Sequence, residues 1–129
     1  MISPSGQDKY RDSDKHGSGA FGSKRGARTH VGIDPIIIPG QDIYAPHDGI
    51  VKREIQVYTD STKYRGIEIV DQFFISHVHY ILPKPGIVGQ KVKEGDVIGT
   101  AQDISERYPD ITKHVHWTLH VNPRWITRK

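Results

Sequence analysis

The stretch Val115-His116-Trp117-Thr118-Leu119-His120-Val121 alternates apolar and polar side chains without a break. A period of two is typical of a β-strand that buries one face, so the sequence predicts a strand here. Gly49–Tyr58 and Arg65–Asp71 are predicted strands as well, and Asp71-Gln72 predicts a hairpin into a further strand over Phe73–Ile81.

The composition agrees with a small all-β protein. The 129 residues include 13 glycines and 8 prolines, which suit many turns and short elements within one domain. Lys91–Thr100 predicts a turn followed by a strand, and the only helical candidate is one turn over Ser105–Tyr108. We therefore predict an all-β, mostly antiparallel sheet domain over residues 29–129, preceded by a polar, glycine-rich arm or loop over residues 1–28.

Several classes of function are excluded at this point. No apolar run approaches the roughly 18 residues that a membrane span needs, and the first residues lack the apolar segment of a signal peptide. The chain has no cysteine, which excludes disulfides, thiolate catalysis and cysteine-ligated zinc. The formal charge of +3 is compatible with an anionic polymer as partner but is too weak to select one.

The 8 histidines are the first indication of chemistry, because any metal site must use histidines and carboxylates. Two patterns stand out, His30-Val31-Gly32-Ile33-Asp34 and His114-Val115-His116. Residues an even number apart on an extended chain share a face, so each pattern puts its two polar side chains together. Two histidines and a carboxylate from two strands can hold a tetrahedral Zn²⁺ and leave the fourth position to water. Each pattern alone is weak, since His-x-His also occurs in strands that bind no metal.

Four segments in combination resemble the lysostaphin/LytM-type zinc endopeptidases. They are His30-x-Gly32-x-Asp34, Ile43-Tyr44-Ala45-Pro46-x-Asp48-Gly49-x-Val51, Gly89-Gln90-Lys91-Val92-Lys93-Glu94-Gly95-Asp96-Val97-Ile98-Gly99 and His114-x-His116. Within that family the sequence is most similar to the leukocyte cell-derived chemotaxin 2 branch, through Asp14–Gly19 and Tyr108-Pro109-x-Ile111-x-x-His114. That branch is secreted and disulfide-bonded, whereas this chain has Ser18 where a cysteine is expected, which leaves a bacterial or phage wall enzyme open.

The resemblance implies a set of roles. His30, Asp34 and His116 would be the zinc ligands, and His114 would act as general base or transition-state donor. The implied activity is metal-assisted hydrolysis of a peptide bond in peptidoglycan, at the cell envelope, outside the cell or in a phage particle. We expect a monomer whose partner is a peptidoglycan peptide, with a receptor or anionic polysaccharide as further candidates and no nucleic acid. The alternative is a non-catalytic, zinc-binding signalling or recognition module, and a scaffold without metal is the third hypothesis.

The family also uses one more catalytic histidine, in a Tyr-x-His-Leu pattern on a central strand. The corresponding region here is Ser76-His77-Val78-His79-Tyr80-Ile81-Leu82-Pro83. One alignment makes His79 the catalytic residue, and the other leaves Tyr80 or Leu82 in its place. We prefer His79, because an imidazole is the group that proton transfer needs at that position.

The remaining histidines have simpler interpretations. His47 follows Pro46 in a turn and is expected to be exposed. His120 shares a strand face with His116, but four residues of strand separate them by about 13 Å, which is too far for both to bind one metal ion. His77 shares the His79 face, and His16 lies in the glycine-rich arm.

Overall fold

A computed structural model describes residues 1–11 and 32–124 and, between these ranges, the backbone of two short strands. His16 and His30 lie outside the described residues. The strands, in chain order, are β1 (Lys24–Arg25), β2 (Arg28–Thr29), β3 (Asp42–Tyr44), β4 (Gly49–Tyr58), β5 (Ser61–Val70), β6 (Phe74–His79), β7 (Ile81–Pro83), β8 (Lys91–Val92), β9 (Val97–Ala101) and β10 (His116–Val121).

The larger sheet has five antiparallel strands in the order β10-β6-β5-β4-β8. Its strand β4 has the predicted bounds, and β5, β6 and β10 overlap the predicted strands closely. The hairpin predicted at Asp71-Gln72 joins β5 to β6, and its turn is closed by a hydrogen bond from the Asp71 amide to the Phe74 carbonyl (2.8 Å). The predicted all-β, mostly antiparallel fold is therefore confirmed.

A second sheet, with the order β3-β9-β7, covers one face of the first. The core between them is formed by fully buried aliphatic side chains of both sheets, which are Ile43, Val51, Ile67, Ile69, Val78, Ile81 and Ile98. The predicted helical turn is a 3-10 helix over Ile104–Glu106. Within the described ranges, no helix is long and apolar enough to cross a membrane. The packed face leaves the opposite face of the five-stranded sheet available for polar side chains.

The first eleven residues lie against the domain. Ser3, Ser5 and Arg11 are buried, and the Tyr44 amide donates to the Pro4 carbonyl (2.9 Å). The predicted arm over residues 1–28 thus begins with a segment that has little regular structure but is packed in place. The boundary at residue 28 stays a prediction.

The expectation that His47 is exposed is wrong, since its relative exposure is only 6%. Its Nδ1 lies 2.7 Å from the Asp48 carbonyl, which can only accept, so Nδ1 carries the proton and Nε2 accepts from the Ser76 hydroxyl (2.7 Å). Ser76 in turn accepts from the indole N–H of Trp117 (3.0 Å). His47 can be buried in this turn because both of its ring nitrogens have hydrogen-bond partners.

We expect Ser76→Ala to lower the free energy of unfolding by about 1–3 kcal/mol, because it leaves His47 Nε2 and Trp117 Nε1 buried without partners. The measurement is urea denaturation followed by tryptophan fluorescence. Thr62→Ala on the exposed side of β5 is the control that removes a strand hydroxyl without breaking this network. Equal stabilities of the two variants would contradict the assigned network.

Candidate active site

One row of residues crosses three strands on the open face of the five-stranded sheet. His116 on β10 lies opposite His79 on β6, and His79 lies opposite Gly66 on β5. The ring centroids of His116 and His79 are 5.7 Å apart. A Cβ on Gly66 would come within 2.5 Å of the Val78 carbonyl oxygen and 3.0 Å of His79 Cδ2. Glycine is therefore required beside His79.

The segment that carries Asp34 runs along the free edge of β10. Ile33 and Trp117 exchange backbone hydrogen bonds (3.0 and 2.9 Å), and an isolated bridge joins Ile36 to His114. A Cβ on Gly32 would approach the Trp117 carbonyl oxygen to 2.5 Å and His116 Cε1 to 3.1 Å. The glycine of the His-x-Gly-x-Asp pattern is thus explained by close contact with the strand that carries His116.

Asp34 is the centre of this arrangement and is 1% exposed. Its Oδ1 accepts from His116 Nδ1 (2.6 Å), and its Oδ2 accepts from Arg11 Nε (2.9 Å). His114 Nε2 lies 3.6 Å from Oδ2. The structure therefore brings Asp34, His114 and His116 together.

His114 is held in one tautomer. Its Nδ1 lies 2.6 Å from the Thr112 carbonyl oxygen, so Nδ1 donates and Nε2 keeps its lone pair toward Asp34. The Tyr80 ring meets the His114 ring edge to face, with centroids 5.6 Å apart. Burial is the main cause that lowers the pKa of His114, and the Asp34 charge opposes it only in part. The imidazole is consequently neutral at pH 7 and can accept a proton.

His79 is neutral for a similar reason. Burial lowers its pKa to about 4, and the nearby His116, His77 and Arg53 charges act in the same direction. Its Nε2 is buried and makes no hydrogen bond within the described part of the chain. His79 thus presents a neutral, desolvated imidazole beside the His116 ring.

The next row of the same face is polar as well. Thr118, His77 and Glu68 lie opposite one another on β10, β6 and β5, and Arg53 of β4 continues the row. His77 Nε2 lies 2.8 Å from Glu68 Oε2. Burial alone would raise the pKa of Glu68, but the hydrogen bond to His77 and the Arg53 charge outweigh it and keep the carboxyl ionised. A row with charged side chains therefore lies beside His79 and His116 on the same face of the sheet.

The donor set fits a zinc ion in part. Among the residues that the structure describes, no group of three or more histidines, aspartates and glutamates is placed to hold a metal ion. His30, the third predicted ligand, is not among those residues. Asp34 Oδ1 and His116 Nδ1 nevertheless face each other, and an oxygen and an imidazole nitrogen are donors that zinc accepts. Nδ1 must lose its proton before it can bind a metal.

A comparison with known families identifies the family of this chain. The sequence profile of Peptidase family M23 matches residues 28–127. The chain belongs to peptidase family M23. Two curated relatives of this M23 domain are leukocyte cell-derived chemotaxin-2 of Bos taurus, 28% identical over 109 residues, and its Mus musculus counterpart, 29% identical over the same length. Both alignments cover 84% of this chain and 71% of the relative.

Solved structures share the fold of this M23 domain. The antimicrobial peptidase lysostaphin from Staphylococcus simulans superposes with a TM-score of 0.63 at 17% identity, over 88% of this chain and 44% of that chain. The catalytic domain of the prophage-encoded M23 protein EnpA from Enterococcus faecalis, solved as a point mutant, gives a TM-score of 0.58 at 20% identity over 93% of this chain and 87% of that chain. This chain spans less than half of the lysostaphin chain, and identities this low establish the fold alone.

The predicted site residues of the M23 domain can now be located. Asp34, His114 and His116 lie together, His79 lies beside His116, and His30 is outside the described residues. Of the alternatives to His79, Tyr80 points toward His114, whereas Leu82 is 48% exposed on β7 of the other sheet. His114 precedes β10 instead of lying within it, because it pairs with Ile36 alone. The ligand and catalytic roles stay predictions.

Sequence reasoning missed Arg11, whose side chain is fully buried against Asp34. A single arginine in a polar, glycine-rich stretch carries no pattern that marks it. The sequence contains only an indirect signal for it. A buried aspartate needs a cationic partner, and the first lysine or arginine after Asp34 in the sequence is Lys52.

Proposed function

We propose that this M23 domain is a zinc-dependent endopeptidase that hydrolyses peptide bonds of peptidoglycan. The observation that carries the proposal is the position of His79, a buried neutral imidazole with an unbonded Nε2 beside the Asp34–His116 pair. A site that only held a metal would have no use for such a group, whose desolvation costs free energy. Wall substrates place the proposed activity at the cell envelope, outside the cell or on a phage particle.

The chain itself would manage the proton. His114 is fixed with Nδ1 bonded to Thr112, so its Nε2 is the basic nitrogen that faces the site. His79 offers a second neutral imidazole from the adjacent strand. His114 can accept the proton of the attacking water at Nε2, while His79, a neutral imidazole that still carries one N–H, can donate a hydrogen bond to the negative charge on the scissile carbonyl oxygen. Burial favours this division, since both rings are neutral before reaction.

His30, Asp34 and His116 would hold the zinc ion. A bound zinc ion would lower the pKa of a water molecule and polarise the scissile carbonyl group. Glycine-rich cross-bridges suit the polar strip along β6 and β10, because a substrate without side chains needs only backbone contacts. Stem peptides are the other substrate class for the same face.

We expect the purified protein to bind one zinc per chain and His30→Ala or His116→Ala to lose it, because each removes one of three protein ligands. The measurement is elemental analysis after dialysis. His120→Ala removes an exposed histidine from the same face of β10 and should retain zinc. A full equivalent of zinc in both ligand variants would refute this ligand set.

The proposed activity is tested with the unmodified, zinc-loaded protein on purified peptidoglycans with and without glycine cross-bridges. We expect loss of turbidity and new amino termini on at least one wall type, and no loss after chelation. Activity that survives complete removal of metal would overturn the mechanism. Absence of activity in a fully zinc-loaded sample would overturn the enzymatic proposal.

The two proposed catalytic histidines are tested separately from the ligands. His79→Ala and His114→Ala should each keep zinc but lose at least about 100-fold in hydrolysis rate, the lower range for removal of a general acid–base group. His77→Ala is the matched control, because His77 lies on the same face of β6 and bonds to Glu68 instead. An equal loss in the His77 variant would show that the effect is a general one of this strand.

A second candidate is a non-catalytic, zinc-binding recognition module. The identity of 28–29% with the two chemotaxin-2 relatives favours it. In that case zinc would serve only structure, and the positively charged surface would bind a receptor or an anionic polysaccharide. Zinc binding together with inactivity on every wall type would select this candidate.

A further inference from the structure

Arg11 lies outside the residues that the M23 profile matches, which begin at residue 28. It nevertheless reaches the centre of the site. Its side chain is fully buried, and its Nε donates to Asp34 Oδ2 at 2.9 Å. A buried guanidinium aimed at one oxygen of the predicted ligand carboxylate calls for an explanation beyond general packing.

The backbone around Arg11 is fixed to the same segment. The Arg11 amide donates to the Asp34 carbonyl (2.6 Å), the Ile36 amide donates to the Lys9 carbonyl (2.8 Å), and Tyr10 bridges to Pro35. Residues 9–11 therefore add a short strand-like stretch on the side of residue 34 that faces away from β10. Both the side chain and the backbone of Arg11 hold the same aspartate.

The two carboxylate oxygens of Asp34 are thereby given different roles. Oδ2 is engaged by Arg11, whereas Oδ1 faces His116 Nδ1 at 2.6 Å. An arginine donates in a fixed planar geometry, so it can select one orientation of the carboxylate, which a lysine ammonium cannot do as well. Partners that orient a metal ligand in this way commonly change metal affinity by about 10–100-fold.

We propose that Arg11 is a positioning residue that orients Asp34 so that a single oxygen, Oδ1, is directed at the metal position. This inference rests on the proposed zinc site. The segment before the family domain then completes the site, and metal affinity depends on a residue 23 positions upstream of the ligand that it orients.

Charge alone makes the opposite prediction. A guanidinium next to the ligand repels a divalent cation, so its removal would strengthen zinc binding if Coulomb repulsion dominated. The orientation and repulsion hypotheses therefore predict opposite changes in zinc affinity when Arg11 is replaced, and that affinity can be measured.

The test compares full-length wild type with Arg11→Lys and Arg11→Met. Zn²⁺ affinity is measured by competition with a chelating indicator, and the visible absorption spectrum of the Co²⁺-substituted protein reports the geometry at the metal. Far-UV circular dichroism of the zinc-free proteins checks folding. Arg65→Met is the control, because it removes an arginine from a partly exposed pair with Glu54 on the opposite face from Gly66 and His79.

We expect Arg11→Met to bind zinc about 10–100-fold more weakly, with an altered Co²⁺ spectrum, and Arg11→Lys to be intermediate, while Arg65→Met resembles wild type. Zinc affinity that is unchanged or higher in Arg11→Met would overturn the proposal, and so would full rescue of affinity and spectrum by lysine. If Arg11→Met does not fold, Arg11→Lys decides alone, since it keeps the buried charge and loses the planar geometry. Wild type that binds no zinc would overturn the proposed site itself, which separates the two failures.

Discussion

The burial of one carboxylate governs the architecture of this site. Asp34 is 1% exposed, and an ionised carboxylate without partners would be far too costly at that depth. Arg11 approaches it from the N-terminal segment, and His114 and His116 approach it from the segment that leads into β10. Removing one partner of a buried pair of this kind typically costs about 3–5 kcal/mol. The N-terminal segment, the edge segment around Asp34 and β10 are therefore tied to one another by a single side chain, and none of them can move far without leaving a charge uncompensated.

The five-stranded sheet provides the second constraint, which is register. His116, His79 and Gly66 share one row, and Thr118, His77 and Glu68 share the next. A shift of any strand by one residue would turn these side chains into the core and the isoleucines outward. The buried face, with Ile67, Ile69 and Val78 at zero exposure, thus fixes which polar groups meet on the open face. Packing on one side of the sheet sets the chemistry on the other.

The sequence predicts the parts of this structure that depend on local periodicity. The strand over Gly49–Tyr58 and the hairpin at Asp71-Gln72 follow from local pattern and turn chemistry. The proximity of Asp34 to His114 and His116 is expected from the family resemblance of the combined motifs, because spacing alone relates only residues of the same segment. The sequence does not predict Arg11 or His47, because both are buried by contacts across 23 to 29 residues of chain that leave no periodic pattern. A polar stretch at the N-terminus and a turn after proline are ordinarily solvated, and here tertiary hydrogen bonds override that tendency.

The two orphan groups of the open face extend this argument to function. His79 Nε2 and Thr118 Oγ1 are buried atoms that make no hydrogen bond to the described part of the chain. They lie in adjacent rows of the same face, next to the carboxylate that the rest of the site compensates fully. A buried polar atom without a hydrogen-bond partner costs about 1–3 kcal/mol of folding free energy. Two such atoms on one face therefore suggest a role in binding something that is not part of the chain. The compensated side of the site, around Asp34, suits the permanent holding of a cation, and the uncompensated side suits groups that arrive from outside. The proposed substrate position along β6 and β10 and the proposed ligand position at the edge of β10 rest on that division.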